Sequence, residues 1–255
     1  ARSALLVLQG ALSVVLLVGA GLFVRSLDNV KSMRIGYDAE PVLYVRRNMR
    51  GLQLDSAASV ALRYRPLGRA RASPGVTAAA WIYTVPFSST SSTGLYVAGI
   101  DTVRRLGRFT YQVTTREYFD VMGTRIMRGR NFTDDDRAGA PRVMIVSESM
   151  GRVLWPGEDP LGKCVKVGAD TMPCSTVVGV AENMVQNDLT AGKQYSYYMP
   201  LEQYNPHRGN GLFLRVNGEP RKQIETVRKS LQSVMPGQSY VYVQPLIENI
   251  DGARR

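Results

Sequence analysis

The chain has 255 residues, and its 32 lysines and arginines outnumber its 21 acidic residues, so the net charge is +11 at pH 7. One histidine and two cysteines fall short of the four ligands of a structural zinc site. No helix-turn-helix, zinc-finger or aromatic RNA-binding pattern accompanies the scattered basic residues, which argues against nucleic-acid binding. Such a basic surface either stays solvated or faces anionic lipid or an acidic protein.

The N-terminal region contains an uncharged run, residues 4–24, between Arg2 and Arg25. A helix of this length spans about 31 Å, close to the ~30 Å hydrocarbon core of a bilayer. A signal peptide has a shorter apolar region, and a buried core helix is normally amphipathic or shorter. We therefore expect residues 1–25 to form a transmembrane anchor, the only such segment of the chain.

Small residues are spread along both halves of this anchor. Because small side chains let a second helix approach closely in lipid, they predict contact with another membrane protein. Gln9 strengthens the prediction, since its amide is costly toward lipid. The alternative is an ordinary anchor, because GxxxG spacing is absent. The predicted helix-packing residues are Gln9, Gly10, Ser13, Gly19 and Gly21.

A strand, a helix and a second strand follow the anchor. Residues 42–45 alternate as a β-branched strand, 55–72 have helical spacing, and 76–85 form the second strand. Asp55 or Ser56 is a candidate N-cap. Pro66 lies inside the helical segment, where it is expected to kink or end the helix.

The middle of the chain, roughly residues 87–198, is rich in short strands and turn signals after a Ser/Thr-rich loop. Strands are predicted at 95–100, 109–114, 143–146, 165–167 and 176–180, with short helices near 115–122 and 147–154. The acidic run at 134–136 suits a turn cap or a cation, but it lacks the residue pattern of a calcium loop. We expect a solvated turn there.

The two cysteines, Cys164 and Cys174, lie on either side of a turn region between two β-rich runs. A hairpin would bring their side chains together, and an oxidising compartment would let them form a disulfide. A loop this short contributes about 2–3 kcal/mol on the chain-entropy model. Free buried thiols and a metal site remain the alternatives, and a metal site would need two more ligands.

The strand, helix, strand pattern returns near the C-terminus, at residues 212–216, 220–234 and 240–243. Two such units in one sheet describe a split βαβ, ferredoxin-like arrangement. We predict an α+β fold in which a membrane-proximal ferredoxin-like subdomain, residues 26–86 and 199–255, carries an inserted β-rich subdomain, residues 87–198. The single histidine, His207, lies in a predicted surface loop.

Long motifs in the middle section closely resemble the periplasmic core domain of MacB-like ABC transporter permeases. They are YFDVMGTRIMRGRNFTDDD, PRVMIVSESMGRVLWPGEDPLGKCVKVG, TVVGVAENM and YYMPLEQ. The anchor is also similar to the first helix of a permease unit, most of all in duplicated orphan permeases without a fused ATPase. The matching residues are Tyr118, Phe119, Gly123, Gly129, Arg130, Phe132, Trp155, Pro156, Gly157, Pro160, Leu161, Gly162, Val177, Val178, Gly179, Val180 and Pro200.

The resemblance implies a domain that transmits movement and contacts periplasmic partners without a catalytic site, cofactor or metal. The family's permease unit has three further membrane helices, and the sequence has no phosphate-binding loop. A first hypothesis is therefore a periplasmic module of a MacB-like permease, whether excised, truncated or put to another use. A second is a permease-derived accessory subunit that braces a respiratory or photosynthetic complex. An envelope enzyme is the least supported hypothesis.

Both leading hypotheses predict a single-pass protein of a bacterial inner membrane, with its soluble domain in the periplasm. The cysteine pair and the family resemblance support that orientation, since basic residues on both sides of the anchor do not decide it. Expected partners are integral membrane proteins along the anchor, a periplasmic protein and the lipid bilayer, but no nucleic acid.

Overall fold

The computed structural model describes residues 2–32, 36–48, 56–185, 194–204 and 211–253. The chain divides into two compact units, Ala1–Ile35 and Gly36–Arg255. The first unit contains helix α1 (Arg2–Ser32), whose large apolar side chains are exposed along most of its described length. Among the residues that the structure describes, no helix is both long enough and apolar enough to cross a bilayer.

The second unit is built around a mixed sheet with helices, which confirms the α+β class. Its helices are α2 (Ser56–Arg71), α3 (Tyr118–Met122), α4 (Glu148–Leu154), α5 (Pro220–Gln232) and α6 (Leu246–Ala253), with a 3₁₀ helix at Val103–Leu106. Its strands are β1 (Val42–Asn48), β2 (Val76–Ile82), β3 (Leu95–Tyr96), β4 (Arg108–Thr114), β5 (Ile126–Gly129), β6 (Val143–Ser147), β7 (Cys164–Val167), β8 (Cys174–Ala181), β9 (Gln194–Pro200), β10 (Gly211–Val216) and β11 (Tyr240–Pro245).

Strands β11, β1, β10 and β2 lie side by side in that order, with every neighbouring pair antiparallel. This is the order of two interleaved strand, helix, strand units, and we call these four strands the first half-sheet. Helix α2 packs on β2 and on α5, and α5 packs on β11. The buried side chains Leu67, Val227 and Leu231 of these helices join the same core as Leu43 and Leu212 of the strands.

The middle of the chain extends the same sheet in the order β4, β9, β6, β8, β7, β3, with β5 paired to β8. We call these strands the second half-sheet. The pair β4 and β9 is parallel over seven residue pairs, from Arg108↔Gln194 to Thr114↔Pro200. The sheet is thus continuous across the boundaries predicted for the inserted subdomain, which remain a proposal.

Several elements differ from their predictions. Helix α2 does not end at Pro66 but continues to Arg71. The strand predicted at 95–100 is shorter, because Val97 forms a bridge with Ile100 and turns the chain back. Local residue patterns alone do not predict β5, β9 or α6. The side chains of β5 are mostly exposed, so it lacks the alternation of a half-buried strand.

Candidate functional site: the seam between the half-sheets

The two half-sheets meet where β2 passes β4, and we call this contact the seam. Its backbone pairing consists of one residue pair, Ile82↔Thr114. By contrast, β2 pairs with β10 along most of its length. A backbone ladder this short leaves the polar groups of both strands to be satisfied by other means, because buried N–H and C=O groups are costly when unpaired.

Side chains of β4 and of Thr115, the residue that follows it, supply those hydrogen bonds. The buried Gln112 accepts from the backbone N–H groups of Tyr83 and Thr84 at 2.8 and 2.9 Å, and its own amide nitrogen donates to the carbonyl of Thr84 at 2.7 Å. The Thr114 hydroxyl donates to the carbonyl of Trp81 at 2.6 Å, and the Thr115 hydroxyl accepts from the N–H of Trp81 at 3.2 Å. The seam is therefore joined mainly by side chains.

A small cleft of about 240 Å³ opens at the carboxyl ends of the parallel strands β4 and β9. Helix α2 lines it with Tyr64, Leu67 and Arg71, and the second half-sheet contributes the segment 114–117 and the loop 132–137. The cleft thus lies between elements of the two half-sheets.

Polar contacts cross this cleft. Arg71 of α2 pairs with Glu117 at 2.6 Å, and the Tyr64 hydroxyl donates to Glu202 at 2.7 Å. Arg116 forms ion pairs with Glu117, at 3.1 Å, and with Asp134. The hydrogen bond to Glu117 and the nearby Asp134 charge raise the pKa of Arg116. These charged groups link α2 to the second half-sheet beside the seam.

Hydrogen bonds and an ion pair also fix the first residues of the second unit, Gly36 to Asp38. The N–H of Asp38 donates to the carbonyl of Met122 at 2.7 Å, and the Thr124 hydroxyl donates to the carbonyl of Gly36 at 2.9 Å. Arg215 of β10 binds the Asp38 carboxylate at 3.2 Å and donates to the carbonyl of Val121 at 3.0 Å. We call this arrangement the Asp38 clamp, since it ties the segment to β10 and to the end of α3.

The motif glycines Gly129 and Gly179 let two backbone segments approach closely. A Cβ on Gly129 would overlap the Val178 carbonyl, and one on Gly179 would overlap the Arg130 carbonyl. Gly129 also has a φ of +74°, which disfavours other residues. The close approach allows the N–H of Arg130 to donate to the Val178 carbonyl at 2.9 Å.

The acidic run forms a turn as predicted, but one of its members, Asp136, is buried rather than solvated. Asp136 accepts from both terminal guanidinium nitrogens of Arg130, at 2.7 and 2.9 Å, and from the N–H of Thr133 at 2.8 Å. Burial raises the pKa of Asp136, but these hydrogen bonds and the Arg130 charge outweigh it, so the net pKa is lowered. Asp134 and Asp135 are exposed.

Motif residues 155–162 form two successive turns beside the second half-sheet. The N–H of Glu158 donates to the Trp155 carbonyl, and that of Lys163 donates to the Pro160 carbonyl, each at 3.1 Å. Gly162 then donates to the Val177 carbonyl at 2.8 Å. The motif residues described here therefore shape and join backbone segments.

These motifs coincide with a family match. The family described as "MacB-like periplasmic core domain" matches residues 3–234 of the chain. The chain belongs to this family. Its fold is similar to that of the periplasmic region of MacB from Actinobacillus actinomycetemcomitans, with a TM-score of 0.57 and 15% identity over 86% of this chain and 95% of that one. The extracellular domain of the noncanonic ABC-type transporter YknZ from Gram-positive bacteria gives 0.52 at 16% identity, over 78% and 98% of the two chains.

Curated relatives of this MacB-like chain are export permeases by name. The probable syringafactin export ATP-binding/permease protein SyfD of Pseudomonas syringae pv. syringae is 34% identical over 45% of this chain and 18% of its own length. The macrolide export ATP-binding/permease protein MacB of Aggregatibacter actinomycetemcomitans is 32% identical over 30% of this chain and 12% of its own. The chain spans less than a fifth of the length of these relatives.

The predicted cysteine pair is bonded in the MacB-like domain. Cys164 and Cys174 form a disulfide with their Cα atoms 5.5 Å apart. The register of β7 and β8 places Cys164 opposite Thr176 and Cys174 opposite Lys166, so the bond runs diagonally across one face of the hairpin. Both cysteines are exposed, which disagrees with the alternative of buried thiols.

The predicted helix-packing residues all lie on α1 and are exposed within the first unit. Apart from the backbone of α1 itself, a Cβ at Gly10, Gly19 or Gly21 would meet no atom of the described residues within 4 Å. The Ser13 hydroxyl donates to the carbonyl of Gln9 at 2.9 Å. A role for these residues in helix packing remains a prediction.

The predicted loop with His207 lies outside the described residues, as does the candidate cap Asp55. Among the described residues, no group of three or more His, Cys, Asp or Glu side chains is placed to hold a metal ion. The sequence does not predict that Gln112 bonds to the segment after β2. The feature that could have indicated a polar contact is its amide side chain within a strand, RFTYQVT, whose side chains are mostly buried.

Proposed function

We propose that this chain is a non-catalytic periplasmic module of a MacB-like permease, anchored by its N-terminal helix and acting through contacts with other proteins. The observation that carries the proposal is the family match over residues 3–234, together with the sheet-dominated fold shared with the periplasmic region of MacB. Because the family describes a transporter domain outside the membrane, we place the second unit in the periplasm.

The roles of the motif residues support a non-catalytic function. Gly129 and Gly179 permit backbone approach, Arg130 neutralises Asp136, and the segment 155–162 forms turns. A catalytic motif would instead bring a nucleophile, base or oxyanion donor together at one point. These roles thus support a function in shaping and joining backbone segments of the second half-sheet.

The seam and the Asp38 clamp support a role in transmitting movement. The clamp links the first residues of the second unit to β10 and, through Met122 and Thr124, to the chain at the end of α3. Helix α3 packs on β2 and β10, and the chain continues from it into β5. A sheet joined at one backbone pair resists relative rotation less than one joined by a full ladder. We infer that the half-sheets act as two bodies, which correspond to the proposed subdomains 26–86 with 199–255, and 87–198.

We also propose that α1 lies in the bilayer and packs against other membrane helices. Support comes from the uncharged run 4–24 and from apolar side chains such as Leu12, Leu17 and Phe23, which are 60 to 72% exposed in this unit. Exposed apolar surface of this extent marks a contact with lipid or protein. The disulfide supports the periplasmic side for the second unit, since such bonds persist in oxidising compartments.

The relatives named as export permeases suggest an export assembly of the inner membrane as the setting. The alternative, an accessory subunit that braces a different membrane complex, uses the same anchor and the same exposed domain. The two differ in the proteins that accompany the chain.

The test uses the full chain with a C-terminal tag, expressed in a Gram-negative bacterium. Protease added to intact spheroplasts should remove the second unit and leave a short membrane-embedded fragment, while a cytoplasmic control protein survives. In a separate experiment, purification of the undigested tagged chain in mild detergent should recover permease subunits together with it. Protection of the domain until the inner membrane is broken would show the opposite orientation, and recovery of a respiratory or photosynthetic complex instead of permease subunits would favour the alternative.

A further inference from the structure

A second cleft, larger than the one at the seam, lies elsewhere in the second unit. It has a volume of about 730 Å³ and lies between the segment 92–96, which includes β3, and the segment 101–109, which includes the 3₁₀ helix and the start of β4. Pockets of roughly 300–1,000 Å³ are the size that binds small molecules. We call this cleft the arginine groove.

The floor of the arginine groove is apolar. Leu95, Val103 and Phe109 line it and are buried to more than nine-tenths of their surface. Tyr96, which is 42% exposed, adds an aromatic side chain to the wall. An apolar segment of a ligand would lose water contact here, which is favourable by about 25 cal/mol per Å² of apolar area.

The rim of the groove is polar and predominantly basic. Arg104 and Arg108 line it against one acidic residue, Asp101, and the hydroxyls of Ser92, Thr93 and Thr102 complete it. Arginine is well suited to bind carboxylate and phosphate groups, because its guanidinium offers paired donors. The net positive charge of the chain further favours an anionic ligand.

The wall of the groove is held in place rather than left as a free loop. The Ser91 carbonyl accepts from the N–H of Tyr111 at 2.9 Å, and the Gly94 carbonyl accepts from the N–H of Gly168 at 2.8 Å. Arg108 also donates to the hydroxyl of Thr90 at 3.0 Å. These bonds fix both ends of the wall against β4 and the end of β7, so the groove is a preformed feature.

We propose that the arginine groove binds a small anionic amphiphile, with its carboxylate or phosphate at Arg104 and Arg108 and its apolar chain over Leu95, Val103 and Phe109. This proposal does not rest on the permease function, since it follows from the shape and charge of the groove.

The test uses the full chain in lipid nanodiscs and a ten-carbon carboxylic acid that carries a photoreactive diazirine. Cross-linked peptides are identified by mass spectrometry, which separates labelling of residues 92–109 from labelling of α1. We expect labelling in the groove, and we expect unlabelled decanoate and decyl phosphate to compete for it. The competitor that acts at lower concentration identifies the preferred headgroup.

Matched variants then test the charge. R104Q combined with R108Q should lower groove labelling about tenfold or more, since each charge-assisted hydrogen bond lost is a large part of a small ligand's affinity. R104Q alone should also lower groove labelling, and it leaves the Arg108 hydrogen bond to Thr90 in place. R105Q is the control, because Arg105 is exposed on the same 3₁₀ helix but does not line the groove.

Three results would overturn the proposal: labelling confined to α1, equal labelling by a diazirine amine of the same length, or equal loss of labelling in R105Q and R104Q. Circular dichroism of each variant confirms that the fold is retained, so a loss in R104Q reports on the groove itself.

Discussion

Inside helix α2, Pro66 has no N–H to donate to the carbonyl of Leu62, four residues earlier. Arg47 of β1 fills this gap, because its guanidinium donates to the Leu62 carbonyl. Pro66 and Leu62 are both buried, so an unsatisfied carbonyl at this position would be costly. A residue on a neighbouring element thus lets a proline remain within a continuous helix.

This arrangement predicts a coupling between two positions. R47A should lower the free energy of unfolding by about 1–3 kcal/mol, since it leaves the Leu62 carbonyl without that donor. R47A should lower the free energy of unfolding by less in a P66A background, because the introduced alanine supplies a helical N–H to the Leu62 carbonyl. Urea unfolding of the single and double variants measures the difference. Equal costs in both backgrounds would mean that Arg47 stabilises the domain through other contacts.

Asp136 predicts a pH dependence at the residue scale. Its pKa is lowered in the folded state despite burial, so its contribution to stability is present above the unfolded pKa of about 4 and is lost as pH falls through the folded value. D136N should therefore be less stable than the wild type at pH 7, and the gap should narrow below pH 4. Chemical denaturation between pH 7 and pH 3 measures it. D135N, at the exposed neighbour, is the control and should show no such narrowing.

At the scale of elements, β2 and β4 depend on side chains where neighbouring strands usually depend on backbone pairs. Gln112 alone makes three hydrogen bonds across the seam. The ends of parallel β4 and β9 then open the cleft that α2 covers, and Arg71 and Tyr64 cross it. Loss of the Gln112 contacts should therefore weaken the connection between half-sheets more than the strands within each.

The change Q112L keeps a similar volume but removes all three hydrogen bonds. We expect a loss of about 2–4 kcal/mol in the free energy of unfolding, because the N–H groups of Tyr83 and Thr84 lose their acceptor in a buried site. Hydrogen exchange should rise in β2 and the segment 83–84 before it rises in β1. T110V is the control on the same strand, since the Thr110 hydroxyl donates to the carbonyl of Tyr195 on β9, at 3.4 Å. Uniform exchange throughout the second unit in Q112L would argue against a local role at the seam.

At the scale of the whole molecule, the chain combines an apolar helix with a basic domain in a separate compact unit. We expect α1 to pack on another membrane protein through Gln9 and its small residues, because close packing drives helix association in lipid. Replacing Gly10 and Gly19 with leucine should release the chain from its complex and leave it in the membrane.

Co-purification in mild detergent and membrane fractionation together measure this outcome. L12A and L17A form the control, since they change apolar side chains of α1 outside the predicted packing set. Unchanged recovery of partners with the glycine variant would leave the second unit as the contact surface.

Local patterns in the sequence determined the elements whose partners are near in the chain. Alternation and helical spacing indicated the two strand, helix, strand units, and turn residues indicated the segment 155–162 and the hairpin of Cys164 and Cys174. These features follow from the backbone preferences and spacing of residues within about 30 positions of one another.

Only the tertiary structure decided how separate elements meet, whether they are near or far apart in the chain. The pairing of Thr114 with Pro200, the seam at Gln112 and the bond from Arg47 to Leu62 each depend on where other elements place their backbones. Helix α2 illustrates the reason: Pro66 disfavours a continuous helix locally, whereas a donor from β1 makes it acceptable. The parallel pairing of β4 and β9 likewise brings together segments about 86 residues apart, a contact that no local pattern encodes.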